Sequence, residues 1–186
     1  NSYGQVGRSC TNCSPRPGRG LAGTFTQVLA RGDTSFALRN DGTVWAWGYN
    51  GHGQLGRNLA AGNGSGTPAQ VVQLSNGQPL TGIVGLTISE GSFSGTWVLA
   101  WTATGVAWKW GLNFSEPGMG GNPGNNFLAA VPHVYFNGST AARSLHRAVA
   151  GGNALVAYID GAGTAGFWTC NFAGCSFGTT AATVLA

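Results

Sequence analysis

The chain repeats itself, and the repeat limits what it can fold into. Residues 41–56 read DGTVWAWGYNGHGQLG. Gly42-Thr-Val-Trp45-Ala-Trp47-Gly48-Tyr-Asn50 aligns with Gly105-Val-Ala-Trp108-Lys-Trp110-Gly111-Leu-Asn113, and more loosely with Gly163-Thr-Ala-Gly-Phe-Trp168-Thr-Cys-Asn171. The opening residues, NSYGQVG, echo Asn50-Gly-His-Gly53-Gln54-Leu-Gly56. Equivalent Asn residues fall at 1, 50, 113 and 171, so successive units are 49, 63 and 58 residues long. Units of this length match propeller blades and exceed ankyrin or tetratricopeptide repeats.

Each unit holds four strand-like runs. The first has Phe25–Ala30, Ser35–Arg39, Thr43–Trp47 and Ala69–Leu74. The second has Ile83–Ile88, Thr96–Trp101, Val106–Trp110 and Val131–Phe136. The third has Leu145–Ala150, Ala154–Ile159, Ala165–Thr169 and Ala182–Leu185. Asn40-Asp41-Gly42, Thr104-Gly105 and Asp160-Gly161 supply hairpin turns, because Gly and Asn accept positive φ. The third-to-fourth connections, 48–68, 111–130 and 170–181, are long and rich in Gly, Asn and Pro. No window has a capped 3.6-residue apolar period. The reading is all-β: β-propeller blades of four antiparallel strands, three full blades plus one extra strand region. The expected divisions are 1–23 for the closing region of a preceding blade, then 24–80, 81–140 and 141–186 for the three blades. A propeller needs about four blades to close. The expectation is therefore a partial or open propeller, completed by another chain or by missing sequence.

Composition agrees with many short strands. Gly makes up 33 of 186 residues and 11% are aromatic. Only 8% are charged, against a typical ~25%. The net charge of +4 comes from scattered Arg, with Lys109 the only Lys. A nucleic-acid binder shows a dense basic stripe instead, so DNA or RNA is disfavoured as a partner. No run of ~20 apolar residues could span a bilayer. The start without Met suggests a processed end, a fragment or a cloning boundary.

The cysteines form two close pairs, Cys10 with Cys13 and Cys170 with Cys175. Two short-loop disulfides in an oxidising compartment suit this pattern. A single four-thiolate zinc site and free thiols are the alternatives. Low charge, scarce Lys and paired cysteines together point to a secreted protein. Sequons occur at Asn12, Asn63, Asn113 and Asn137.

The pattern Ala37-Leu38, Asp41 to Asn50, Gly53 to Gly56 and Thr67-Pro68 resembles the repeat of the regulator of chromosome condensation family. The likeness is strong over 25–74, fair over 83–136 and weak over 145–186. It implies a seven-bladed propeller closed by strands from both chain ends. For the family's namesake it also implies nucleotide exchange on a small GTPase together with chromatin binding.

Trp47, Trp110 and Trp168 share one repeat position and are expected to wedge between blades. Gly48 and Gly111 follow them and should allow a bulge or a close backbone approach. Thr169 replaces this Gly in the third unit, whose turn should therefore differ. No catalytic constellation emerges. Asp33, Asp41 and Asp160 sit in turns, and Arg31-Gly32-Asp33 reads as a turn rather than an integrin-recognition motif. His52, His133 and His146 lack metal spacing. No cofactor is expected. The leading function is a non-catalytic extracellular protein-binding module with recognition loops on a rigid scaffold. Candidate contacts are Tyr49, His52 and Arg57 in the first loop, Phe114 and Met119 in the second, and Phe172 and Phe177 in the third. The alternatives are a self-assembling structural subunit at the cell surface, and a nucleotide-exchange or chromatin-type propeller.

Overall fold

A computed structural model describes residues 2–7, 21–90, 96–112, 126–133, 145–150, 155–160, 163, 165–171 and 174–179. They form three four-stranded antiparallel sheets, each a meander whose strands pair in chain order. Blade 1 contains β1 (Phe25–Arg31), β2 (Thr34–Arg39), β3 (Val44–Asn50) and β4 (Gly62–Gln70). Blade 2 contains β5 (Ile83–Glu90), β6 (Thr96–Thr102), β7 (Ala107–Gly111) and β8 (Phe127–His133). Blade 3 contains β9 (Leu145–Ala150), β10 (Leu155–Asp160), β11 (Ala165–Asn171) and β12 (Gly174–Thr179). The chain is an all-β partial propeller.

The innermost strands β1, β5 and β9 meet their neighbours in turn. The Ile83 N–H donates to the Gly42 carbonyl, and the Leu145 N–H repeats this to Gly105. The second hairpin turn of blade 1 and that of blade 2 thus each hold the start of the next blade. Phe36, Leu38, Val44 and Ala46 of blade 1 pack on Leu86, Ile88, Val98, Ala100 and Trp110 of blade 2. Side chains alternate across a strand. On β3, Val44 and Ala46 are buried in this interface, whereas Trp45, Trp47 and Tyr49 are half-buried. On β6, Thr96 to Trp101 are all buried. Blade 2 lies between two blades, so both of its faces are covered and the period-two signal disappears.

Three expected strands need correction. The fourth run of blade 1 lies at 62–70 rather than 69–74. Val71 leaves the sheet edge for the core, where it is fully buried, and its N–H donates to the Val44 carbonyl. Residues 72–74 instead bond across to β8, through the Val72 carbonyl to Ala130 and the Leu74 N–H to the Ala130 carbonyl. In blade 3 the fourth strand is 174–179, and the expected 182–185 lies outside the described residues. The Gly at Trp47+1 and Trp110+1 has φ of 106° and 92° and interrupts the β3–β4 and β7–β8 ladders. Blade 3 has Thr169 there, and its β11–β12 ladder runs without a shift to Asn171↔Gly174. The long connection expected over 170–181 is thereby replaced by a hairpin. The fourth strand of blade 2 also begins earlier, at Phe127.

Candidate functional site

The motif Asn-x-x-Gly-Gln-x-Gly builds a folded turn, and its polar atoms explain the residue choice. Asn50 is nearly fully buried. Its side chain accepts the Leu55 N–H at 3.1 Å and donates to the Ala60 carbonyl at 3.3 Å. The Gln54 side chain, also buried, accepts the His52 N–H at 2.8 Å. Gly53 and Gly56 take positive φ, where a side chain would be strained. A Cβ at Gly56 would meet the Trp110 ring at 2.8 Å. That closeness lets the turn lie flat on the next blade's tryptophan.

The contact is directional. The Trp110 indole N–H donates to the Gln54 carbonyl at 3.0 Å. The N-terminal turn repeats the arrangement one blade earlier. The Tyr3 N–H meets Gln5 Oε1 at 3.2 Å, and the Gly7 N–H meets the Gly4 carbonyl at 2.8 Å. The Trp47 indole N–H donates to the Gln5 carbonyl at 2.8 Å. The Ser35 hydroxyl donates to the same carbonyl at 2.9 Å, and the Gln5 amide donates to Asp33 Oδ1 at 2.6 Å. Residues 2–7 thus occupy on blade 1 the place that 50–56 occupy on blade 2.

Tyr3, Tyr49 and His52 form a ring cluster where these two turns meet. Tyr3 and Tyr49 lie 4.6 Å apart between centroids, and Tyr49 and His52 lie 6.2 Å apart, edge to face. Tyr3 is exposed and the other two are half-buried. Burial lowers the His52 pKa from its usual 6.5, because desolvation disfavours the imidazolium. The β1–β2 turn shares this end, where the Asp33 carbonyl accepts the Tyr49 N–H at 2.8 Å. In each meander the connections after the first and third strands leave from one end.

The other expected site residues are placed as follows. Trp110 is almost fully buried against Phe36, their ring centroids 6.5 Å apart. A Cβ at Gly48 would run into the Asp33 carbonyl, and one at Gly111 into the Thr96 carbonyl. Arg57 is half-buried, its Nη1 donating to the Thr67 carbonyl at 3.0 Å, and desolvation lowers its pKa. Its backbone bridges to Ala129 of blade 2. Trp168 lies on β11 opposite Val156 and Phe177. Phe177 is therefore a strand residue on β12, not a loop residue, because the hairpin shortens the third connection. Cys170 and Cys175 oppose each other in that hairpin. Cys10, Cys13, Phe114, Met119 and Phe172 lie outside the described residues. Among the described residues no group of three or more His, Cys, Asp or Glu could hold a metal, and no helix could cross a membrane.

The sequence alignment had Gln5, Gln54 and Asn50 in view as repeat markers without a role. Gln27 carried no signal, since its repeat partner in blade 2 is Gly85. Its side chain nonetheless bridges the two inner strands: Nε2 donates to the Leu86 carbonyl at 2.9 Å, and Oε1 accepts the Leu86 N–H at 3.1 Å.

Residues 32–54 match the family model of the regulator of chromosome condensation (RCC1) repeat. That stretch runs from the β1–β2 turn to Gln54, which includes Trp47, Gly48 and the turn itself. Human WBSCR16 has a similar structure, with a TM-score of 0.67 and 21% identity over 91% of this chain and 40% of its own. A chain in the crystal structure of Kap60 bound to yeast RCC1 (Prp20) gives 0.64 and 18%, over 91% of this chain and 38% of its own. Prp20p from Saccharomyces cerevisiae gives 0.62 and 17%, over 90% and 39%. The chain spans about two fifths of the length of these structures. Repeat and fold together give the chain an RCC1-like β-propeller fold, with three blades among the described residues.

Proposed function

We propose that this chain is a non-catalytic, extracellular protein-binding propeller segment. Its recognition residues sit at the end that carries the Asn-x-x-Gly-Gln turns. The carrying observation is the Tyr3–Tyr49–His52 cluster. Tyr is favoured at protein interfaces because it offers large contact area with two rotatable bonds, and here two consecutive latched turns fix the rings. Likeness to propellers described with protein partners supports the reading: yeast RCC1 (Prp20) bound to Kap60, and Prp20p in its binding to Gsp1p and histones. The extracellular setting rests on low charge, a single Lys and paired cysteines.

A second reading, self-assembly, is favoured by one position. Val28 of β1 and Leu86 of β5 are equivalent in the repeat register. Leu86 is 1% exposed under blade 1, whereas Val28 is 70% exposed. Light scattering on the purified chain separates the two readings. A binder gives a discrete monomer or dimer at micromolar concentration, and a structural subunit gives large or filamentous species. Accelerated nucleotide release from a small GTPase would contradict both.

A further inference from the structure

We propose that Cys170 and Cys175 form a cross-strand disulfide that locks the outer hairpin of blade 3. The β11–β12 register places the two residues directly opposite, one step from the closing pair Asn171↔Gly174. Directly opposed antiparallel residues have Cα atoms about 4.5 or 5.5 Å apart, and both spacings fall within the roughly 4.4–6.8 Å that a disulfide spans. Opposed residues also share one face of the hairpin.

Two further observations give the bond a purpose. In blades 1 and 2, a positive-φ Gly breaks the third-to-fourth ladder, and in blade 1 the Asn50/Gln54 turn ties down the chain beyond it. In blade 3 the Gly is Thr169 and the ladder continues unbroken. Cys170 thus occupies the repeat position of Tyr49 in a blade that departs from the turn design. Second, β12 is the outer strand of its sheet and, among the described strands, pairs with β11 alone. Such an edge frays most readily. So short a closed loop gains little from chain entropy, which makes the effect local: the bond holds β12 in register.

The chemistry is thiol–disulfide exchange. One thiolate attacks glutathione disulfide and expels one glutathione thiolate, and the second cysteine thiolate attacks the resulting mixed disulfide at the protein sulfur and expels the other. One S–S bond forms within the hairpin. Two electrons and two protons leave the cysteines, and the oxidant departs as two thiols.

The test uses the full chain equilibrated in a glutathione buffer poised at roughly −180 to −210 mV, alkylated, and digested with trypsin without reduction. Arg147 is the last basic residue, so Cys170 and Cys175 fall in one peptide, 148–186. Cys10 and Cys13 fall in another, 9–19, because Pro17 protects the Arg16 bond. The expected product is peptide 148–186 unalkylated and lighter by two hydrogens than its reduced form. Two alkylated cysteines, a cross-link to peptide 9–19, or a zinc adduct lost with chelator would each overturn the proposal. Hydrogen exchange tests the lock separately. Amides of Ala165–Asn171 and Gly174–Thr179 should exchange about tenfold faster in the Cys170→Ser, Cys175→Ser double variant than in the oxidised wild type. Equal rates would show that no such lock exists.

Discussion

Trp110 concentrates the chemistry of the repeat in one side chain. It fills the interface between blades 1 and 2 and spends its one polar hydrogen on Gln54. Trp110→Phe keeps most of the packing but leaves the buried carbonyl unpaired, which should cost about 1–3 kcal/mol. Trp110→Ala should cost about 3–5 kcal/mol. Urea unfolding of the two variants checks both the order and the gap. Gly48→Ala should destabilise by at least about 1–2 kcal/mol from the backbone conformation alone, with the Asp33 carbonyl clash in addition. His52 gives a pH signature. Its folded pKa is lowered below 6.5, so below that pH the unfolded chain binds more protons than the folded one. Stability should therefore be undiminished at pH 7 and fall as the pH drops below 6.5, and His52→Asn should flatten that slope. The shared positions of Trp47 and Trp110 were legible because indole and Gly recur in register. The acceptor was not, because a main-chain carbonyl leaves no mark on the sequence.

At the scale of strands, hairpin turns were the readable part. Asp41 shows why: its Oδ1 accepts both the N–H and the hydroxyl of Thr43, at 3.0 and 2.6 Å, closing the β2–β3 turn within three residues. The fourth strands were misplaced because their identity is decided outside their own sequence. β4 opens on Gly, Asn, Ser and Thr, a composition that reads as loop. It becomes a strand because β3 continues past Gly48 to Asn50 and offers it a partner. The apolar run that follows reads as strand, yet Val71 is drawn into the core. Gln27 shows the same limit at an interface. Its amide satisfies both backbone groups of Leu86, so Gln27→Leu should leave two buried groups unpaired and cost about 1–3 kcal/mol. Hydrogen exchange at the Leu86 amide would register the change directly.

Among the described residues, four kinds of tie join successive blades: the Gly carbonyl to the next inner strand, the Gln carbonyl to the next Trp, the Gln27 side chain to Leu86, and the outer pairing of 57–58 and 72–74 with β8. These ties make the scaffold stiff, and the turns that form one of them also carry the partly exposed Tyr3–Tyr49–His52 cluster. The blade count was legible from spacing alone. The cluster was not, because Tyr3 and His52 belong to turns 49 residues apart and meet only through Tyr49. That cluster is the proposed protein-contact surface, and the most direct test is binding of the partner that the immobilised wild-type chain retains from extracellular material. Affinity for that partner should fall at least about tenfold, or ~1.4 kcal/mol, in a Tyr3→Ala, Tyr49→Ala variant whose unfolding midpoint stays within a few degrees of wild type. Unchanged affinity in that folded variant would contradict the account.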